Sequence, residues 1–399
     1  MPPSPGSGLR RFPRPRIVIS RCITFDPVRY DGSVIPCELV ERMKPFVDFI
    51  PVCPEVAIGL SVPRDPIRIV RTPTGKRLVQ PATGRDLTVE MERFGREFLD
   101  RLPPVDGFIL KHRSPSSAKA GAKLYPDAGK SAPVGQGPGF FGKAVLERFG
   151  RFPIEDEGKL RNARIRDHFL TAIFTLARFR EVKEAGKLRD LARFHTENRL
   201  LLMVQGERAM RAMGRVVANR GKKAPQEVFT LYGELLLSAF RRPPRYMANI
   251  NVLAHAEGYF GDRLTKREKE VFEAALRSCR DGRTPVSEPK YLVLSWIARF
   301  GEPNLEKQGF RKPDLGERFG EPNLAKQGFR KPNLGERFGE PNLAEEGSGE
   351  PDYGERFGNQ HLEATFGNSN LGDQTFFFPY PEELKVLETG VQERRTDDW

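Results

Sequence analysis

The segment Arg16-Ile-Val-Ile-Ser20 is a short apolar run that ends in a hydroxyl residue, a pattern that predicts a buried strand. Two further runs predict a second and a third strand: Phe46-Val-Asp-Phe-Ile-Pro-Val52 and Gly107-Phe-Ile-Leu-Lys111. Between these two, apolar residues recur at spacings of three and four and predict a helix, with Asp86 as its N-cap: Leu87, Met91, Phe94, Phe98 and Leu102. Strands that alternate with helices indicate a parallel sheet.

The pattern of apolar residues changes near Phe152, after which amphipathic helical patterns follow one another to about Phe300. Thr265 and Glu268 have the spacing of a capping box before one of these helices. We therefore predict the α/β fold class, with a Rossmann-like parallel-sheet domain over residues 16–150 and an all-α domain over residues 151–300.

The ends of the chain have a different composition. Residues 1–15 are rich in Pro and Arg and predict a disordered leader. Residues 301–370 hold a repeat, Arg-Phe-Gly-Glu-Pro-Asn-Leu, with a period of 19 residues, and we predict a disordered linker, although an array of Phe anchors for a partner is the alternative. Residues 371–399 contain an aromatic segment that we expect to dock on the helical domain.

Composition and charge narrow the possible functions. The 399 residues include 66 basic and 53 acidic ones, a net charge of +13 that favours anionic partners such as nucleotides or RNA, although ordinary solubility charge explains it nearly as well. Only four cysteines are present, which fits a reduced, cytoplasmic protein better than a disulfide scaffold. No apolar run reaches the roughly 20 residues of a membrane helix, so no membrane partner is expected.

Each predicted strand leads directly into a loop with reactive residues. Cys22 follows the first strand, Cys53 and Glu55 follow the second, and residues 113–117 follow the third. Since ligands bind at the carboxyl ends of parallel strands, the three loops are expected to converge on one site. Two thiolates beside carboxylates and hydroxyls suit a soft metal or an iron–sulfur cluster, whereas the alternative is that both cysteines are buried packing residues.

Six motifs in this region resemble the thiouracil desulfidase family, over roughly residues 15–150: Ile19–Cys22, Val28–Gly32, Phe49–Glu55, Gly59–Arg64, Gly107–Lys111 and Ser114–Ser117. The helical region resembles a domain of unknown function often fused to that family, through Phe194–His195, Leu201–Met203, Gly214–Asn219, Asn251–His255 and Gly258–Phe260. The 19-residue repeats do not belong to either pattern and look like an insertion.

The resemblance implies a 4Fe-4S cluster held by three cysteines, with an open iron that takes the sulfur of the substrate. By matching motif, Cys22 and Cys53 are two of the ligands, and the third falls on Ser117. A serine alkoxide is a harder and more basic ligand than a thiolate. Three outcomes remain open: Ser117 binds iron weakly, Cys37 substitutes for it, or the cluster is lost and the fold is kept for another use.

The resemblance also suggests roles around the thiols. Glu55 is the first choice for the general base and Asp31 the second, and Ser114 is expected to hydrogen-bond the substrate. Arg29 either orients an anionic substrate or forms a structural ion pair, and Tyr30 is expected to be a packing residue. A glycine-rich loop that includes Gly135 and Gly137 either cradles a phosphate with its backbone N–H groups or is a plain turn.

We therefore predict an iron–sulfur desulfidase that acts on a thiolated pyrimidine base or nucleotide. The alternative is a non-catalytic nucleotide- or RNA-binding protein that retains the fold, and a third hypothesis makes the repeats a scaffold for a partner. In the helical region, His195 and His255 are expected to be hydrogen-bonded core histidines rather than metal ligands.

Overall fold

A computed structural model describes residues 11–300 and 374–385. Within these ranges there are nine strands: β1 Arg16–Ser20, β2 Asp48–Val52, β3 Arg68–Thr72, β4 Gly75–Gln80, β5 Arg85–Asp86, β6 Gly107–Leu110, β7 Ala122–Tyr125, β8 Gly135–Gly137 and β9 Ile154–Asp156. The same ranges hold twelve α-helices: α1 Glu38–Met43, α2 Pro54–Ala57, α3 Thr88–Asp100, α4 Phe140–Phe149, α5 Ala163–Ala185, α6 Leu188–Glu197, α7 Arg199–Gln205, α8 Glu207–Ala218, α9 Pro225–Ala239, α10 Tyr246–Gly258, α11 Lys266–Arg280 and α12 Ser287–Phe300.

The parallel sheet predicted from the apolar runs is confirmed. Its four strands lie in the order β2-β1-β6-β9, and all three neighbouring pairs are parallel. The register pairs Ser20 with Val52 and Leu110 with Asp156, so all four strands end at one edge. This geometry places the segments that follow the strands side by side.

Helices cover both faces of this sheet because successive side chains of a strand point to opposite faces. Val18 and Phe108 face the apolar side chains of α3 and α4. Ile17 and Ile19 face α1 and α5. The predicted helix over residues 87–102 is therefore α3, although its N-cap is Leu87, and the Asp86 carboxylate accepts from the Thr88 backbone N–H at 2.9 Å.

A second sheet, which the apolar patterns did not predict, has the strand order β5-β4-β3-β7-β8. Its strands β3 and β4 mix charged and apolar residues, as in Arg68-Ile-Val-Arg-Thr72, where the neighbours Ile69 and Val70 are both buried and the flanking residues are exposed or half-buried. The sheet includes Gly135 and Gly137, which lie in the edge strand β8 and pair antiparallel with β7. Gly135 and Gly137 therefore lie in a strand rather than in a loop, and their binding of a phosphate stays a prediction.

The helical region begins later than residue 151. Residues Ile154–Asp156 form β9, the fourth strand of the parallel sheet, and α5 packs its residues Phe169 and Ile173 against that sheet. Beyond α5, helices α6–α12 enclose a separate core. The capping box of Thr265 and Glu268 at the start of α11 is confirmed, with both reciprocal hydrogen bonds present.

Two terminal segments pack on the fold. The described part of the predicted leader is ordered, since Phe12 packs edge-on against Phe174 at 6.1 Å. Residues 374–385 contact both regions: Gln374 hydrogen-bonds the backbone of Thr196 and Leu200, and the Tyr380 hydroxyl donates to Asp167. The 19-residue repeats of residues 301–370 lie outside the described residues. No helix in the described ranges has the length and apolarity needed to cross a membrane.

Candidate functional site

The two predicted thiol ligands lie at the carboxyl edge of the parallel sheet. Cys22 follows β1 and Cys53 follows β2, and the Arg21 N–H donates to the Val52 carbonyl at 2.8 Å, which continues the pairing of the two strands into the loops. Burial raises the pKa of Cys22 to about 12, and the neighbouring Cys53 contributes to that rise. Burial also raises the pKa of Cys53. The structure therefore brings the two thiols together, and both are protonated at neutral pH.

Glu55 stands two residues after Cys53, on the short helix α2. Its Oε2 accepts two hydrogen bonds from the Arg64 guanidinium, at 2.6 and 2.9 Å, and both side chains are largely buried. Its Oε1 accepts from the Ser116 hydroxyl at 2.7 Å. Such charge-assisted bonds fix the orientation of a carboxylate firmly. Glu55 thus links the loop after β2 to the loop after β6.

The loop after β6 presents a cluster of hydroxyls. Ser114 Oγ accepts from the backbone N–H groups of Ser116 and Ser117, at 3.3 and 3.1 Å, and lies 2.9 Å from Ser116 Oγ. Ser116 and Ser117 are both buried. Because the Ser116 hydroxyl hydrogen points to Glu55, the short contact between the serines is donated by Ser114.

Two glycines let this loop approach helix α4 closely. A Cβ on Gly139 would lie 2.6 Å from the Ser116 backbone, and one on Gly142 would lie 2.1 Å from the Ala118 carbonyl oxygen. No side chain fits at either position without moving the loop. The serine loop is therefore held by backbone contact with the start of α4.

An ion pair closes the other side of the edge. Lys111, after β6, lies 2.5 Å from Glu157, after β9, and the same carboxylate accepts from the His112 backbone N–H. The charge of Glu157 raises the pKa of Cys22, and that of Lys111 lowers it. The edge thus carries groups from all four parallel strands.

Two residues predicted for catalysis or substrate binding lie on an exposed turn instead. Asp31 Oδ1 accepts from the Ser33 hydroxyl and N–H at 2.6 and 3.0 Å, and these bonds lower the pKa of Asp31. Arg29 donates to Ser33 at 2.8 Å and lies 3.5 Å from Asp31. These contacts stabilise the turn, and a lowered pKa makes Asp31 a weaker base than an ordinary carboxylate. Tyr30 does not pack as expected, because 44% of it is exposed.

Sequence reasoning did not assign a role to Arg64 or Ser116, the two residues that hold Glu55. Arg64 ends the Gly59–Arg64 motif, and Ser116 lies between Ser114 and Ser117, so both residues belong to motifs that carry the family resemblance. Their pairing with Glu55 spans 9 and 61 residues of sequence, and no local pattern indicates it.

Cys37, the candidate substitute ligand, lies at the N-cap of α1. Its backbone N–H donates to Thr24 Oγ1 at 3.1 Å, and burial raises the pKa of its thiol. Glu157 raises the pKa values of both Cys37 and Cys22, so the two thiols share a neighbouring carboxylate. Within the described residues, no group of three His, Cys, Asp or Glu side chains is arranged to hold a metal ion.

The helical region places its two predicted core histidines apart from this edge. His195 is buried, and its Nδ1 lies 3.1 Å from the Tyr232 hydroxyl. Burial lowers the pKa of His195 to about 4 and also lowers that of His255. A neutral, buried His195 agrees with a packing role in the helical core.

Comparison with known proteins supports a two-part chain. Residues 17–157 match the family described as 2-thiouracil desulfurase, and residues 199–314 match a family described as protein of unknown function, DUF1722. The uncharacterized protein YbgA of Escherichia coli (strain K12) is 24% identical over 149 residues, which cover 37% of this chain and 88% of YbgA. A solved structure of the 4Fe-4S-dependent thiouracil desulfidase TudS is 27% identical, covers 37% of this chain and 94% of TudS, and gives a TM-score of 0.30. The chain therefore carries an N-terminal region that matches the 2-thiouracil desulfurase family and a C-terminal region that matches DUF1722.

Proposed function

We propose that the carboxyl edge of the parallel sheet is the active site of a desulfidase that acts on a thiolated pyrimidine base or nucleotide. The observation that carries this proposal is the convergence of Cys22, Cys53 and Glu55 at one edge, within the residues that match the desulfurase family. In an open α/β domain, this edge is where ligands bind.

The residues of this edge do not supply the three thiolates that the resemblance implies for a 4Fe-4S cluster. Cys22 and Cys53 offer two sulfur atoms, and the third position offers the Ser117 hydroxyl, whose oxygen is a harder donor. Both thiols also carry raised pKa values, so a metal would have to displace their protons. We therefore derive the chemistry from the side chains alone.

Desulfidation of a thiocarbonyl exchanges its sulfur for the oxygen of water and releases hydrogen sulfide. Cys22 is a poor nucleophile for this reaction because its pKa is about 12. Water is the better nucleophile, provided that a base accepts its proton as it attacks the ring carbon. Water loses both of its protons as its oxygen becomes the new carbonyl oxygen: the base passes the first to the sulfur, and the second replaces the proton that the hydrogen-bond donor gives to the sulfur. Hydrogen sulfide then leaves, and both side chains return to their starting protonation states.

Glu55 and Ser114 have positions that suit these two tasks. Glu55 keeps Oε2 against Arg64, while its Oε1 accepts from the neutral Ser116 hydroxyl and has a second lone pair for a water molecule. Ser114 can rotate its hydroxyl hydrogen from Ser116 toward the substrate sulfur. Arg64 and Ser116 act as positioning residues for the carboxylate.

The test is sulfide release from 2-thiouracil by the full chain under anaerobic conditions, measured with and without prior incubation with iron and sulfide followed by desalting. We expect Glu55→Gln to lower the rate by about 10² to 10⁴-fold, the usual contribution of a general base. The matched control is Glu155→Gln, since Glu155 is also ion-paired, 2.6 Å from Lys119, but serves another part of the sheet edge. An equal loss in both variants, or no sulfide release by the unaltered chain, would refute the proposal.

A second function is favoured by Ser117 together with the net charge of +13: a protein that binds a nucleotide or RNA and has lost catalysis. It predicts salt-sensitive RNA binding that persists in Cys22→Ala and Cys53→Ala, since phosphate contacts need no thiol. If neither RNA nor nucleotide binds, this second function is excluded. The cytoplasmic location and the role of the repeats stay predictions.

A further inference from the structure

Tyr30 is a large aromatic residue that the fold leaves exposed beside the active edge. It is 44% exposed, whereas most aromatic side chains of the α/β domain lie in its two cores. Single exposed apolar residues are ordinary on protein surfaces, so exposure by itself does not indicate a role. The position and rigidity of Tyr30 distinguish it.

The turn that carries Tyr30 is held in one conformation. The Gly32 N–H donates to the Arg29 carbonyl at 2.9 Å, and Asp31 accepts from both the hydroxyl and the N–H of Ser33. The Arg29 guanidinium lies over the Tyr30 ring, 5.5 Å from its centroid. A cation over an aromatic face restrains the ring. A ligand that then binds to the ring loses less free energy to the ordering of that side chain.

The turn is tied directly to the catalytic residues. The backbone N–H of Arg64 donates to the Tyr30 carbonyl at 2.8 Å, and the guanidinium of the same residue holds Glu55. On the other side of the turn, Cys53 Sγ lies 3.9 Å from the Val28 carbonyl oxygen. The backbone of Tyr30 is thus hydrogen-bonded to the residue that holds Glu55, and Val28, two residues before Tyr30, contacts Cys53.

Two more apolar side chains near this turn in the sequence are exposed. Val34 is 41% exposed at the end of the same turn, and Val62 is 39% exposed in the segment that leads to Arg64. Ligand sites commonly combine an apolar or aromatic wall with a few polar groups that fix orientation. Here the polar groups are Glu55 and the serine cluster.

We propose that Tyr30 is the stacking surface for the pyrimidine ring of the substrate. The inference rests on the proposed function and names how the same site recognises its substrate class. Every nucleobase has a π face, so an aromatic side chain beside the reacting carbon binds the ring without needing its hydrogen-bonding edge. Val62 and Val34 then cover the apolar surroundings of the ring, while Glu55 and Ser114 reach the thiocarbonyl.

The experiment measures equilibrium binding of two probes to the full chain, without turnover: 2-thiouracil and 2-thiouridine monophosphate. We expect Tyr30→Ala to weaken the binding of both by roughly 5- to 150-fold, the range that loss of base stacking gives. Tyr30→Phe keeps the ring and should stay within about twofold of the unaltered chain. Tyr291→Ala is the control, because Tyr291 is 60% exposed on α12 and lies in the helical domain.

The outcomes separate this inference from the proposed function. Weaker binding in Tyr30→Ala, with a raised KM and a largely unchanged kcat, supports stacking, since the ring carries binding rather than chemistry. Equal binding by Tyr30→Ala and the unaltered chain overturns the stacking role and leaves the desulfidase proposal intact. Absence of probe binding in the unaltered chain overturns both. If Tyr30→Ala weakens the binding of 2-thiouridine monophosphate but not that of 2-thiouracil, the effect belongs to Arg29 and the phosphate, and the stacking role is overturned.

Discussion

The carboxyl edge of the parallel sheet and the core of the helical domain both bury polar side chains, but they do so in opposite ways. At the edge, the Glu55 side chain is ion-paired with Arg64 and accepts a hydrogen bond from Ser116. In the helical core, His195 is kept neutral beside the Tyr232 hydroxyl. A charged group held by partners remains available for chemistry, whereas a neutral buried pair fixes packing. The difference separates a site from a core.

The largest expected effect concerns the helical core. Tyr232 is fully buried, stacked 5.5 Å from Phe179 and edge-on to Phe194 at 6.0 Å. We expect Tyr232→Ala to lower the free energy of unfolding by about 3–5 kcal/mol, measured by urea denaturation followed by circular dichroism. The exposed control Tyr291→Ala should change it by less than about 0.5 kcal/mol. Similar losses in the two variants would contradict the contrast between core and surface.

The next effect is the pH dependence of stability. The folded state lowers the pKa of His195 from 6.5 to about 4, so the unfolded chain binds a proton that the folded chain does not between these values. The free energy of unfolding is therefore highest above pH 6.5, where His195 is neutral in both states. It falls by about 3 kcal/mol as the pH drops to about 4. We expect His195→Gln to flatten the unfolding free energy between pH 6.5 and 4. His255→Gln, at a less buried position, should flatten it less; the reverse order would be evidence against a neutral His195 core.

The smallest effect would sharpen the interpretation of the sheet edge. Ser117→Cys restores a third thiol at the position that the family resemblance assigns to a ligand, so we expect iron retained after desalting to rise on the order of tenfold. Ser116→Cys is the matched control, because Ser116 is equally buried but holds Glu55. If Ser116→Cys retains as much iron as Ser117→Cys, the third ligand position is not specific. If neither variant gains iron, the edge has lost its capacity for a cluster.

Part of this molecule could be predicted because its signals are local. The strands β1 and β6 are apolar runs that are buried on both faces, β2 is a partly buried run at the edge of the sheet, and the capping box of Thr265 and Glu268 lies within four consecutive residues. The second sheet has no such signal, because its strands mix charged and apolar residues without a regular alternation and include β5 of only two residues. The strand β9 was missed for the same reason, since three residues do not establish a period.

The sequence by itself determined the parallel sheet, the helical region and the meeting of Cys22 with Cys53, because side-chain periodicity and strand direction follow from local residue order. Only the tertiary structure decided that Arg64 and Ser116 hold Glu55, that Asp31 stabilises a turn and that Tyr30 stands exposed. The contacts of Glu55 join segments that are distant in sequence, and the exposure of Tyr30 depends on which surfaces the packing leaves to solvent. Their energies depend on desolvation and distance in the folded chain, which no local pattern records.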